Sequence, residues 1–102
     1  MFTVIETPVF TRYWPDYWDE DERGEFVAWL VANPVAGDVV PGSGGCRKVR
    51  WARPGMGKRG GTRVIYFNQL EDGVIYLLLI YAKGAVDNID GRILKKIRDT
   101  LE

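Results

Sequence analysis

The chain has 102 residues, 46% of them apolar and 13% aromatic, with fourteen basic and fourteen acidic side chains, no histidine and one cysteine. That length suits a single domain over residues 1–102, and that much apolar material excludes a disordered chain or one in need of metal or disulfide support. A lone Cys46 excludes an intrachain disulfide and suits a reducing, cytoplasmic compartment.

Phe2–Ile5 is a short apolar run suited to a strand, and Thr7 and Pro8 then supply an N-cap and a proline at the first helical position. The helix predicted over Pro8–Trp14 should stop before Pro15, because a proline disfavours helical geometry in the residue ahead of it. Residues 1–15 hold Glu6, Pro8 and Pro15 and lack a basic start followed by an apolar run, so no signal peptide is expected. Asp19 and Glu22 resemble a capping box, and the acids at 19–22 suit the positive end of a second helix. Phe26, Val27, Leu30 and Val31 recur at helical spacing until Asn33-Pro34 ends the pattern.

From Cys46 the period changes to two. Val49 and Trp51 alternate with Lys48 and Arg50, so one face of the strand Arg47–Trp51 meets a core and the other presents cations. Thr62–Asn68 and Val74–Tyr81 are β-branched and aromatic, and Glu71-Asp72-Gly73 between them predicts a hairpin turn. The near absence of alternation in Val74–Tyr81 predicts a central strand covered on both faces. The longest apolar run, Val74–Ala82, has nine residues, where a membrane-spanning helix needs about 20. No membrane partner is expected. Asn88 or Asp90 can cap a last helix striped by Ile93, Leu94, Ile97 and Leu101. The predicted class is α+β: a strand, two helices, a three-stranded antiparallel meander and a C-terminal helix.

A net charge of zero argues against a nucleic-acid partner, but its distribution argues for one. Residues 1–38 carry eight acids and two bases (−6), 39–70 seven bases and no acid (+7), and 71–102 six acids and five bases (−1). A stretch of cations without a carboxylate is a footprint for a polyanion, whereas an ordinary solvated face intersperses both signs. Glycines at 42, 44, 45, 55, 57, 60 and 61 accompany it. They allow close approach to phosphates or, more plainly, tight strand connections. No GxxxxGK[ST] element marks a nucleotide-binding loop.

Without histidine and with one cysteine, a typical zinc site, a Ser-His-Asp triad and a paired-imidazole ribonuclease are excluded. Magnesium chemistry needs clustered carboxylates, which the cationic stretch lacks, so no metal or other cofactor is expected. RNA cleavage by its own 2′-hydroxyl needs a base, cations for the growing phosphate charge and an acid for the leaving oxygen, and lysine, arginine and tyrosine can share these tasks. Crowded cations around Lys58 would lower its pKa towards use as a base.

The stretch GDVVPGSGGCRKVRWARPGMGKRGGTRVIYF followed by YLLLIYAK resembles the RelE superfamily of bacterial toxins from type II toxin-antitoxin systems, and most of all its HigB-type branch. The resemblance runs from the acidic helix to Lys83. It implies a compact α+β fold, a ribosome-dependent endoribonuclease that cuts mRNA and inhibits translation, and a cognate antitoxin that usually carries a helix-turn-helix DNA-binding domain. By position, Arg63 matches the family's strand arginine at the scissile phosphate, Lys83 the cation ending the next strand, and Lys58 a loop lysine that takes or stabilises a proton. The chain departs from the pattern in having no tyrosine after Tyr81. Arg47, Lys48, Arg50, Arg53 and Arg59 are candidate phosphate-binding residues. Tyr81 or Trp51 offers a ring for stacking on a base, with core packing the plain alternative for both. Two other functions fit the sequence: a ParE-like gyrase-directed toxin and a non-catalytic RNA-binding module.

Overall fold

The computed structural model describes residues 2–52, 61–82 and 90–101. Strand β1 (Thr3–Glu6) leads into helix α1 (Pro8–Tyr13), a 3-10 turn (Trp14–Asp16) and helix α2 (Glu20–Ala32). Four strands follow, β2 (Asp38–Val39), β3 (Arg47–Trp51), β4 (Thr62–Gln69) and β5 (Val74–Ala82), and then helix α3 (Gly91–Asp99). The strands form one mixed sheet in the order β1-β5-β4-β3-β2, in which β1 runs parallel to β5 and every other pair is antiparallel. The α+β class and the predicted meander β3-β4-β5 are therefore present, widened by a strand at each edge. No described helix is long and apolar enough to cross a membrane.

The helix starts follow from their caps. The Thr7 hydroxyl accepts from the Phe10 N–H at 3.4 Å and donates to the Leu77 carbonyl at 2.9 Å, so one side chain both starts α1 and ties it to β5. Asp19 Oδ1 accepts from the Glu22 N–H at 2.8 Å, and Glu20, Asp21 and Glu22 fill the first turn of α2. Helix α1 ends at Tyr13, ahead of Pro15 as expected, but the residue before the proline does not leave helical geometry, because a 3-10 turn continues through Trp14–Asp16. Trp14 stays right-handed helical, donates to the Phe10 carbonyl and accepts from the N–H groups of Tyr17 and Trp18. Its ring lies 4.7 Å beneath the Arg23 guanidinium and packs against the core. These contacts outweigh the local preference.

The sheet separates two cores. On one face Phe10, Trp18, Phe26 and Leu30 pack against Val49, Val64, Tyr66, Ile75, Leu77 and Ile80. On the other, Leu94 of α3 closes over Cys46, Ile65 and Leu78. Strand β5 is thus covered on both faces, as its sequence predicts. It also holds a bulge. The pairing shifts between Ile65 and Tyr66, which face Leu79 and Leu77, so Leu78 is an extra residue and both Leu78 and Leu79 turn to the α3 side.

Candidate nucleic-acid interface

Register places four of the candidate residues together. Arg50 pairs with Arg63, and Arg63 with Tyr81, forming one row across β3, β4 and β5. Paired residues project to the same face. That face is the α3 side, because Ile65 and Phe67, two and four residues after Arg63, belong to the core beneath α3. The neighbouring row on the same face is Lys48, Ile65 and Leu79. Lys48 and Arg50 are exposed, while Arg63 and Tyr81 are partly buried.

Helix α3 occupies the other end of this face, and glycines let it approach. At Gly91 an added Cβ would lie 1.9 Å from the Pro41 carbonyl oxygen, and at Gly44, which has φ +74°, it would lie 2.7 Å from Arg98 Nε. Arg98 also lies 5.3 Å over the Phe67 ring. The glycines at 42, 44 and 45 therefore serve the tight connection from β2 to β3 and its contact with α3, the plainer of their two readings. Buried Ser43 fastens that connection, donating to the Val40 carbonyl at 2.6 Å and accepting from the Cys46 N–H at 3.0 Å.

Burial pushes the Tyr81 phenol above its ordinary pKa, and the nearby Arg63 charge pulls it only partly back. At neutral pH Tyr81 is therefore a protonated donor with an aromatic face rather than a base. The row offers two guanidiniums, a phenol and an adjacent ammonium, a set that can hold phosphate oxygens and meet a base.

Arg47 does not join this group. It pairs with Tyr66 on the opposite face, and its guanidinium donates to the carbonyls of Gly37 at 2.7 Å and Val35 at 3.3 Å. The phosphate-binding assignment from sequence is corrected accordingly: Arg47 braces the chain segment leading into β2. The alternation in β3 held the signal, since it puts Arg47 on the side of Val49 and Trp51. Trp51 itself packs among aromatics, 5.4 Å from Phe26 and 5.6 Å from Trp29. Core packing accounts for its ring. Arg53, Lys58, Arg59 and Lys83 lie outside the described residues.

Two anchors that the sequence did not reveal hold the same segment. The Tyr66 hydroxyl accepts from the Gly37 N–H at 2.9 Å, and Asn68 Nδ2 donates to the Pro34 carbonyl at 2.6 Å. Both positions read only as strand residues, because their partners lie about thirty residues away in sequence. Among the described residues, no three His, Cys, Asp or Glu side chains gather in a group that could hold a metal ion. No protein-family model matches the chain.

Proposed function

We propose that this chain is a toxin of the RelE superfamily, nearest its HigB-type branch, that cuts mRNA on the ribosome by attack of the ribose 2′-hydroxyl on the adjacent phosphate. The observation that carries the reading is the row Arg50, Arg63 and Tyr81, with Lys48 beside it, on the part of the sheet face away from the α3 contacts. Phosphoryl transfer of this kind asks the protein for positioning and for charge opposite the pentacoordinate phosphate. Arg63 supplies that charge, joined by Lys83, while Lys58 takes or stabilises the hydroxyl proton. Arg50, Lys48, Arg53 and Arg59 hold neighbouring phosphates, and Tyr81 meets a base. The reaction needs no cofactor from these residues. The compartment is the cytoplasm, and the natural partner is an antitoxin with a helix-turn-helix domain.

The test is single-turnover cleavage on programmed ribosomes by Arg63→Ala, Lys83→Ala and Lys58→Arg, each checked for folding by circular dichroism and melting. Losing one preorganised donor costs about 100- to 1,000-fold in rate. Lys58→Arg keeps the charge but removes any use as a base. Wild-type cleavage by folded Arg63→Ala and Lys83→Ala proteins overturns the assignment. Salt-dependent RNA binding without product would leave a binding module, and loss of gyrase supercoiling without RNA cleavage would favour the ParE-like function.

A further inference from the structure

We infer that the Tyr81 hydroxyl is the general acid of this site, giving its proton to the 5′-oxygen that departs when the strand is cut. This role rests on the RNA cleavage proposed above, in which Arg63 and Lys83 meet the phosphate charge and Lys58 the 2′-hydroxyl proton, while the departing oxygen still lacks a donor. The position of the phenol in the sheet supplies one.

Tyr81 stands directly opposite Arg63, the residue assigned to the reacting phosphate. Side chains directly opposite begin about 4.5–5.5 Å apart, against about 7–8 Å for a diagonal pair. The Arg63 charge acts on the phenol oxygen. Tyr81 is half-buried, and among the described residues its hydroxyl has no hydrogen-bond partner, whereas that of Tyr66 is engaged by the Gly37 N–H.

The other side chains of these two rows are poorer donors. The rows Arg50, Arg63, Tyr81 and Lys48, Ile65, Leu79 hold no carboxyl, and the chain has no histidine. A guanidinium, with a pKa above about 12, keeps its protons. Lys48 is exposed and lies diagonal to Arg63. The phenol is protonated at neutral pH, so the acid is loaded before substrate arrives. The step balances. The 2′-oxygen passes its proton to Lys58 and bonds to phosphorus as the bond from phosphorus to the 5′-oxygen breaks. The 5′-oxygen keeps the electron pair and takes the phenol proton. The products are a 2′,3′-cyclic phosphate and a 5′-hydroxyl, with a phenolate beside the Arg63 guanidinium that regains its proton from solvent as Lys58 gives one up.

Tyr81→Phe keeps the ring that meets a base and removes only the hydroxyl. Single-turnover cleavage on programmed ribosomes compares it with wild type on ordinary RNA and on RNA whose departing 5′-oxygen is replaced by sulfur. The sulfur leaves as a thiolate and needs no acid, since a thiol has a pKa of about 8.5. Tyr81→Phe, its fold checked by circular dichroism, should cut ordinary RNA about 100- to 10,000-fold more slowly than wild type and match wild type on the sulfur substrate. Arg63→Ala should stay slow on both. A Tyr81→Phe protein that cuts ordinary RNA at the wild-type rate, or is equally slow on both substrates, overturns the assignment of the proton while RNA cleavage stands. Rescue of Lys83→Ala by sulfur in place of Tyr81→Phe overturns it too, giving the proton to Lys83. A wild-type protein that cuts neither substrate overturns RNA cleavage itself, and the role of Tyr81 falls with it.

Discussion

Arg50 and Arg63 face one another as a cross-strand pair, two cations directly opposite on neighbouring strands. Like charges so placed oppose pairing, whereas a polyanion lying over both relieves the repulsion. Arg50→Thr keeps a β-prone residue and should leave stability unchanged or raise it by about 0.2–1 kcal/mol. The same change should weaken RNA binding and reduce the log-log salt slope by about 0.7 on a single strand. Urea unfolding and RNA titration across salt measure the two effects. A clear loss of stability would assign Arg50 to structure instead.

Arg47→Ala should behave oppositely. It strips the charged donor from the Gly37 and Val35 carbonyls, at a cost of about 1.5–3 kcal/mol in unfolding free energy. RNA affinity of the folded protein should change less than in Arg50→Thr. Equal affinity losses in both variants would return Arg47 to the interface.

The Gly37–Tyr66 contact is open to a double-mutant cycle. Tyr66→Phe leaves the Gly37 N–H without its acceptor and should cost about 1–3 kcal/mol. Gly37→Ala would set a Cβ 2.8 Å from the Lys48 carbonyl oxygen and 3.0 Å from the Tyr66 hydroxyl, with a cost of about 1–3 kcal/mol from overpacking. Because both changes act on one hydrogen bond, the double variant should lose less than the sum of the two. Strict additivity in the urea midpoints would mean that the contact contributes nothing in solution.

Alkali should destabilise the fold. Burial raises the Cys46 thiol above its ordinary 9.0 and the phenols of Tyr66 and Tyr81 above their ordinary 10.0. A group whose folded pKa exceeds its unfolded value binds its proton more tightly when folded. The stability it brings is fully present below the unfolded pKa and is lost as pH rises through the folded one. The urea midpoint should therefore decline above pH 9.0 and more steeply past 10.0. Cys46→Ala should remove the first part of the decline, and a thiol reagent should label Cys46 only as the protein unfolds. A midpoint flat across this range would contradict the raised values.

Much of the fold was legible because local chemistry and global packing agree. Thr7-Pro8 and Asp19 start helices where capping rules place them, and the change to a period of two at Cys46 marks the meander. Strand β2 was not legible, since two residues have no period and Asp38–Val39 is positioned from a distance by Arg47, Tyr66 and Asn68. At the site, the chemistry of the residues could be read but not their grouping. The run Val74–Tyr81 is apolar throughout, so nothing in it tells which of its side chains faces Arg63. Only pairing decides that, and it brings Tyr81 in, whereas the alternation of β3 was enough to turn Arg47 away.

The bulge at Leu78 sets the reading frame of everything after it in β5. Ile80 points into the core beneath α1 and α2, and Tyr81 points to the α3 side with Arg63. Were Leu78 taken into a regular ladder with its neighbours retained, the alternation would reverse beyond it, and an aliphatic side chain would stand beside the guanidinium in place of a phenol. Removing Leu78 altogether restores strict alternation with Tyr81 still on its present face. The position is therefore one where a deletion is silent for the polarity of the site, and because Leu77, Leu78 and Leu79 are consecutive leucines, loss of any one of them gives the same chain and the same outcome.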